Sequence, residues 1–410
     1  MVDNALSPHG GEIVERIVDP QQAKEKIKGL ASIPIRSQLA REVVSLGYGF
    51  FSPLDGFMSK ADVDSVVNKM TLSSGYVWSI PIVFDIEESE IQEAGVKEGD
   101  SVVLTYQDNP LATLDIEEIF TYDLDVMAEK VYGTKEDKHP GVKRTHNYQG
   151  RFIGGQITIV NPPRIKPPFD KYFYPPRVLR EEFAGRGWKR AVAHQTRNVP
   201  HTGHEMLMKG AWFSADADGV LVSAIVGEKR AGDYIDEAII LTQDMLRTAG
   251  YFAKNIHMTS FLLWDMRYAG PREAVFHAIV RKNLGCTHHM FGRDHAGVGS
   301  YYDPYDAHRI FEELPDLGIY PVKAFEWFYC PKCAGIAYEA QCGHEGDAQA
   351  FSGSLIRSII QDGVRPPRLL FRPEVFDLTM QCAEQYGDGS PFVTASYLER
   401  GDPVLSVSPL

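Results

Sequence analysis

The stretch His194-Gln195-Thr196-Arg197-Asn198-Val199-Pro200-His201-Thr202-Gly203-His204-Glu205 concentrates groups that handle a phosphorylated ligand. It runs from a short apolar segment, 191–194, into a helical pattern that continues through Leu207 and Met208. His201 and His204 stand three apart and therefore share one helical face. Gly203 lets the backbone come close to a ligand. The N–H groups of a helix start, with the positive end of its dipole, favour an anion there. Two imidazoles beside them can donate hydrogen bonds to a phosphoryl group as charge develops. Arg197 adds a planar fork suited to a tetrahedral oxyanion. The plainer reading is a polar helix cap with two surface histidines. The strand, the Arg and the Asn upstream weigh against it.

A second segment is Phe291-Gly292-Arg293-Asp294-His295-Ala296-Gly297-Val298-Gly299, after a strand-like run at 287–291. Its glycines permit close backbone approach, and Arg293 and His295 supply donors. No Gly-Lys-Ser/Thr follows, so it is not a Walker loop. Alone it reads as a structural turn; at another strand end of the same sheet it could face the first loop across one nucleotide. A third pattern is Cys330-x2-Cys333-x8-Cys342-x-His344. Three thiolates and one imidazole make a closed tetrahedral zinc set, with no open position for catalysis. A structural zinc is therefore expected, with buried apolar cysteines as the alternative. Cys286 and Cys382 stand alone and read as core residues, as do His257 and His277. Of His288 and His289, one must point away from the site if they lie on a strand. Ser352 is a candidate helix cap.

These loops need elements to hold them. Strand-like runs at 191–194, 220–225, 256–263 and 287–291 alternate with helical patterns at 235–253 and 272–283. That rhythm predicts a parallel α/β sheet with its site at the carboxyl ends of the strands. Upstream, runs at 76–84, 101–106 and 152–160 predict a β-rich domain. Residues 161–174, with Pro162, Pro163, Pro167 and Pro168, read as a stiff linker. The expected division is 1–168, 169–325, 326–389 with the cysteine cluster, and a tail at 390–410 without clear pattern. The 410 residues carry a formal net charge of −13, which disfavours a nucleic-acid partner. No apolar run reaches the length of a membrane span, and none in the first thirty residues looks like a signal peptide. Five cysteines argue against a secreted disulfide scaffold, so a reducing cytoplasm is expected.

Gln195-Thr196-Arg197-Asn198 with His201-x-x-His204, then Gly292-Arg293-Asp294-His295-Ala296-Gly297, resembles the ATP sulfurylase family. Three further stretches agree: Phe51-Ser52-Pro53-Leu54-Asp55-Gly56-Phe57-Met58, Ser352-Gly353-Ser354-Leu355-Ile356-Arg357 and Arg372-Pro373-Glu374-Val375. The resemblance implies a PUA-like N-terminal domain, a Rossmann-like nucleotidyltransferase domain and a small third domain. It implies the reaction of ATP with sulfate, giving adenylyl sulfate and diphosphate, with Mg²⁺ accompanying ATP. By the same resemblance, Gln195, Arg197 and Asn198 would bind ATP phosphates or sulfate, with Thr196 among them. His201 and His204 would stabilise the transition state. Gly292, Arg293, Asp294 and His295 would hold the nucleotide, and the Ala296 backbone would help hold sulfate. Phe328 would touch the nucleotide, unless 325–328 is simply a core strand. A homo-oligomer without a kinase domain is implied, and a zinc cluster like this one occurs in part of the family. The chain departs from the family pattern at Val199-Pro200 and at Thr202-Gly203, where Arg-Ala is usual, so one positive charge is missing. The rival readings are an adenylyltransferase with another acceptor and an RNA-binding PUA-like protein. Residues 195–198 argue against the first and the negative charge against the second.

Overall fold

Five short runs become the parallel sheet that carries the two loops, and the two that are buried throughout are rich in β-branched and aliphatic residues. They are β1 (Ala191–Thr196), β2 (Gly219–Val226), β3 (His257–Leu263), β4 (His288–Phe291) and β5 (Tyr320–Lys323). The computed structural model describes residues 6–350 and 353–410, so the expected cap at Ser352 lies outside the described residues. Every residue of β2 and β3 is buried, as expected for strands covered on both faces. The covering helices include α1 (Thr202–Ser214) after β1, α2 (Asp236–Thr248) after β2, α3 (Pro271–Asn283) after β3 and α4 (Asp306–Glu313) after β4. Strand order is β3-β2-β1-β4-β5, all parallel. The order reverses between β1 and β4, and in such sheets ligands bind outside the carboxyl ends of the strands at that crevice. Both loops leave the sheet there. β5 is an exposed edge strand containing Pro321, a residue tolerated at edges.

The N-terminal sheet has six strands. Ala31–Pro34, Ser101–Tyr106, Asn109–Phe120 and Arg151–Ile159 lie side by side, with Gly56–Phe57 and Phe84–Ile86 both on the far edge of Arg151–Ile159. The strand expected at 76–84 begins only at Phe84. Pro81 cannot donate to a ladder. Its neighbours Trp78, Ile80 and Ile82 are nonetheless buried, in an irregular segment.

The two sheets meet through polar contacts out of water. Arg41 chelates Asp265 at 2.9 and 3.0 Å, and Arg267 pairs with Glu42. Asn283, at the end of α3, donates to the carbonyls of Phe50 (3.0 Å) and Ser52 (2.8 Å). Phe51 sets its ring edge-on against Trp264 and Phe276. The stretch 51–58 is thus a joint between domains.

The segment 161–174 is not a plain spacer. Arg164–Ile165 pairs antiparallel with Leu405–Ser406 of the tail. The tail has structure that its sequence did not announce: a short helix, Ala395–Leu398, and Asp402, which takes Arg41 at 3.3 Å and the Tyr106 hydroxyl at 3.0 Å. Between sheet and tail lie a small antiparallel sheet (Trp327–Cys330, Gly335–Tyr338, Gln349–Ala350) and the helices Gly353–Gln361 and Pro373–Tyr386. The second helix packs on α2.

Candidate active site

The chain after β1 turns sharply. The buried Thr196 hydroxyl accepts the Asn198 N–H at 3.1 Å and sits 3.3 Å from the Asn198 carbonyl. Gln243 of α2 donates to that same carbonyl at 3.0 Å. Arg197 is held by Asp233 at 3.0 Å and by the Tyr268 hydroxyl. Thr196 therefore shapes the loop, and Arg197 is fixed in direction before any ligand arrives.

Two histidines then open α1 in an unusual way. The Nδ1 of His201 accepts the His204 N–H at 3.4 Å, and the Nδ1 of His204 accepts the His201 N–H at 3.4 Å. This is a reciprocal capping box, built from imidazoles rather than from a hydroxyl and a carboxylate. It fixes the tautomer, because a ring nitrogen that accepts carries no proton and the neutral ring must hold its hydrogen on Nε2. The rings stack 3.8 Å apart. Burial lowers the His204 pKa to about 4 and that of His201 well below the ordinary value, so both are neutral at pH 7. They are donors without net charge.

The loop after β4 carries backbone strain. Asp294 and Ala296 both have φ 54°, left-handed for side-chain-bearing residues. The loop is pinned by Asp294 N–H to the Pro304 carbonyl (2.8 Å) and Gly270 N–H to the Ala296 carbonyl (3.1 Å). Arg293 is half exposed and pairs with Asp294 and Glu326, each at 3.5 Å. The His295 ring turns inward, its Nε2 3.2 Å from Nδ1 of His277, and burial lowers its pKa to about 3. His289 is buried with Nδ1 3.1 Å from the Ala193 carbonyl, while His288 lies on the other face beside Thr287, the alternation a strand requires.

Between the loops lies a cleft of about 370 Å³. Gln195 to Asn198 and His204 border it on one side, and Gly292 to Gly297 on the other. His201 stacks behind His204. Further bordering residues were not expected as site residues, among them Asp233, Met266, Tyr268 and Arg357. Met266 and Tyr268 follow the carboxyl end of β3, so a third strand end was the available signal. Phe328 does not border the cleft; its ring is buried in the small antiparallel sheet. A larger cavity of about 750 Å³, lined in part by Arg36, Lys143 and Arg144, shares Met266 with the cleft but contains neither loop.

With this geometry in place, comparison with known proteins is decisive. A family model described as ATP-sulfurylase matches residues 170–381, and one described as a PUA-like domain matches residues 6–162. A sulfate adenylyltransferase of Archaeoglobus fulgidus is 41% identical, over 98% of this chain and 96% of its own. The chain belongs to the ATP-sulfurylase family. A sulfate adenylyltransferase of Hyperthermus butylicus is 42% identical over 93% of this chain and 97% of its own. One from Cenarchaeum symbiosum is 40% identical over 95% and 100%. Among solved structures, a hexameric APS kinase from Thiobacillus denitrificans shares the fold, with a TM-score of 0.72 and 21% identity, over 93% of this chain and 69% of its own.

Two further features of this ATP-sulfurylase chain lie toward its C-terminal region. Where the usual pattern has Arg, Thr202 is buried and points to the C-terminal region, its hydroxyl 2.5 and 2.6 Å from the carbonyls of Leu369 and Leu370. Beside it, Glu205 takes Arg372 at 2.9 Å, so the stretch beginning at Arg372 anchors the C-terminal region to the first turn of α1. The second feature is the cysteine cluster. The ligand atoms of Cys330, Cys333, Cys342 and His344 all lie within 4.8 Å of one another. Cys333 and Cys342 sulfurs are 3.8 Å apart, and His344 Nδ1 is 3.6, 3.4 and 3.8 Å from the three sulfurs in turn. Tetrahedral bonding at about 2.3 Å to sulfur and about 2.0 Å to nitrogen gives edges of about 3.8 and about 3.5 Å, so the four groups fit one metal ion.

Proposed function

We propose that the cleft joins sulfate to the α-phosphate of ATP and releases diphosphate, forming adenylyl sulfate for sulfur metabolism. The observation that carries this reading is the meeting of a neutral histidine capping box, a pre-fixed arginine fork and a strained glycine loop at one switch point. Sulfate has no proton to lose at neutral pH, so no general base is needed; the work is positioning and charge neutralisation. Arg197 and Gln195, with the Ala296 N–H opposite, hold sulfate in line with the α-phosphorus. The Nε2–H of His204 donates to a phosphoryl oxygen as diphosphate departs, and His201, stacked behind it, holds that ring in place. Asn198 orders the phosphates, and Gly292, Arg293, Asp294 and His295 form the wall against the nucleotide. Thr196 acts by shaping the loop, and Phe328 has no part. Mg²⁺ accompanying ATP would supply further charge neutralisation. Among the described residues bordering the cleft there is no Ser or Cys to serve as a nucleophile, which favours direct transfer.

Zinc held by Cys330, Cys333, Cys342 and His344 belongs to the same proposal, as a structural ion with no open position. So does the division at 168, 325 and 389. None of the five cysteines forms a disulfide, which suits a reducing cytoplasm. No helix among the described residues is long and apolar enough to cross a membrane. We assign the chain to a homo-oligomer; light scattering that gives the 45.9 kDa of one chain would remove that part. The reaction is tested by incubating the protein with ATP, sulfate, Mg²⁺ and a diphosphatase, then separating nucleotides by ion exchange. Adenylyl sulfate is expected, and its absence would overturn the reading.

A further inference from the structure

Three guanidinium groups border the cleft, and the protein neutralises two of them. Arg197 faces Asp233, and Arg293 faces Asp294 and Glu326. Arg357 has no carboxylate in ion-pair reach among the described residues. Its Nη2 donates to the uncharged Oδ1 of Asn198 at 3.0 Å. Its Nε is buried with no acceptor among the described residues. A guanidinium cannot shed its proton, and a buried donor left without a partner calls for an explanation such as an arriving ligand.

Arg357 also has an unusual origin. It lies on the helix Gly353–Gln361, outside the parallel sheet, and every other described residue bordering the cleft falls between 194 and 297. The C-terminal region that carries it is fastened to the first turn of α1 by Arg372 on Glu205 and by the Thr202 N–H on the Leu370 carbonyl (3.1 Å). The turn that presents His201 and His204 thus also locates Arg357. Its bond to Asn198 sets it beside the phosphates expected at that helix start.

Resting on the proposed adenylyl transfer, we propose that Arg357 is the ligand of the β- and γ-phosphates of ATP and of the diphosphate they become. Diphosphate bears more charge than sulfate, and Arg357 is the cleft cation whose charge is not already matched by an acid. The sulfate-holding fork of Arg197 is matched by Asp233. The site is therefore complete only with the C-terminal region docked, because that region supplies the cation for the leaving group.

The test measures Michaelis constants for diphosphate, in ATP formation from adenylyl sulfate, and for sulfate, in the opposite direction. Wild type is compared with Arg357→Gln and Arg357→Lys. Losing a charge-assisted hydrogen bond should raise the diphosphate constant about 10- to 100-fold in Arg357→Gln. The sulfate constant should move less than about threefold, and Arg357→Lys should recover part of the loss. Equilibrium dialysis of labelled diphosphate on the same proteins should show the same order of affinity. If Arg357→Gln does not fold, Arg357→Lys carries the test, with diphosphate affinity weakened more than sulfate affinity. An unchanged diphosphate constant in active protein overturns the role of Arg357, as does a sulfate constant that rises as much. A merely structural role would lower turnover in both directions and leave the ratio of the two constants alone. A wild type that makes no ATP from adenylyl sulfate and diphosphate overturns the underlying transferase reading instead.

Discussion

At the scale of residues, the capping box on α1 decides how the histidines work. Each ring accepts a backbone N–H through Nδ1 and so presents a proton on Nε2. A preorganised donor matters most where charge develops, and removing one typically lowers turnover about 10²–10³-fold. His204→Ala is expected to lose that factor in both directions, with the Michaelis constant for ATP moving much less. Steady-state kinetics would contradict this by showing lost ATP affinity with turnover intact. Arg197→Ala should lose about 10²-fold or more while staying folded, since its fork is aimed by Asp233 and Tyr268; near-normal rates at ordinary sulfate would remove its role. The residues of the two loops were legible because each set is contiguous and its spacing has a physical meaning. Asp233, Tyr268 and Arg357 were not, because only the strand order and the docking of the C-terminal region bring them to the same cleft. The tautomer was hidden as well. Spacing put two imidazoles on one face but could not show that each caps the other.

At the scale of elements, legibility followed burial. β2 and β3 read clearly because they are largely apolar runs bounded by loops, and β1 and β4 because they alternate with helical patterns at the spacing of a parallel sheet. The edge strand β5 did not, since Tyr320 is exposed and Pro321 looks like a breaker. The run at 76–84 misled because an apolar run predicts burial, whereas a ladder also needs the N–H that Pro81 lacks. The small sheet around Cys330 has strands of two to four residues, too short for a core of its own. A bound ion is the staple that such an element needs. Purified protein is therefore expected to carry about one zinc per chain. Cys333→Ser should lower zinc content and thermal stability more than it changes the turnover of surviving folded protein. Elemental analysis finding no zinc after chelator-free purification would contradict this. The tail makes a similar case. Asp402 is nearly fully buried and receives Arg41, the Tyr106 hydroxyl and two backbone N–H groups. Asp402→Ala should cost about 2–3 kcal/mol, on the scale of hydrogen bonds to charged groups. A denaturation midpoint equal to wild type would show the tail to be idle.

At the scale of the whole molecule, the buried histidines set how stability depends on pH. Burial lowers His9 and His204 to about 4, and His257 and His295 to about 3, against an ordinary 6.5. The unfolded chain takes up protons near pH 6.5 while the folded chain resists until lower pH. The contribution of these groups is therefore fully present above about pH 6.5 and is lost as pH falls toward 3–4. Each fully buried histidine, such as His257, gives a slope of up to about 1.4 kcal/mol per pH unit in that window. Glu237 has the opposite sign: burial raises it to about 7, so its contribution fades as pH rises from the ordinary glutamate value through 7. The histidines outnumber it, and the melting temperature should fall steeply between pH 6.5 and 5; calorimetry showing a flat profile would contradict this. The reaction and its direct course draw on the whole cleft. The most direct test is the passage of labelled diphosphate into ATP, with and without sulfate, in the presence of Mg²⁺. Direct attack by sulfate requires that label enter ATP only when sulfate is present, and that Arg197→Ala abolish the exchange. Label entering ATP without sulfate would mean a covalent adenylyl-protein, and no label under either condition would mean that the cleft does not perform this reaction.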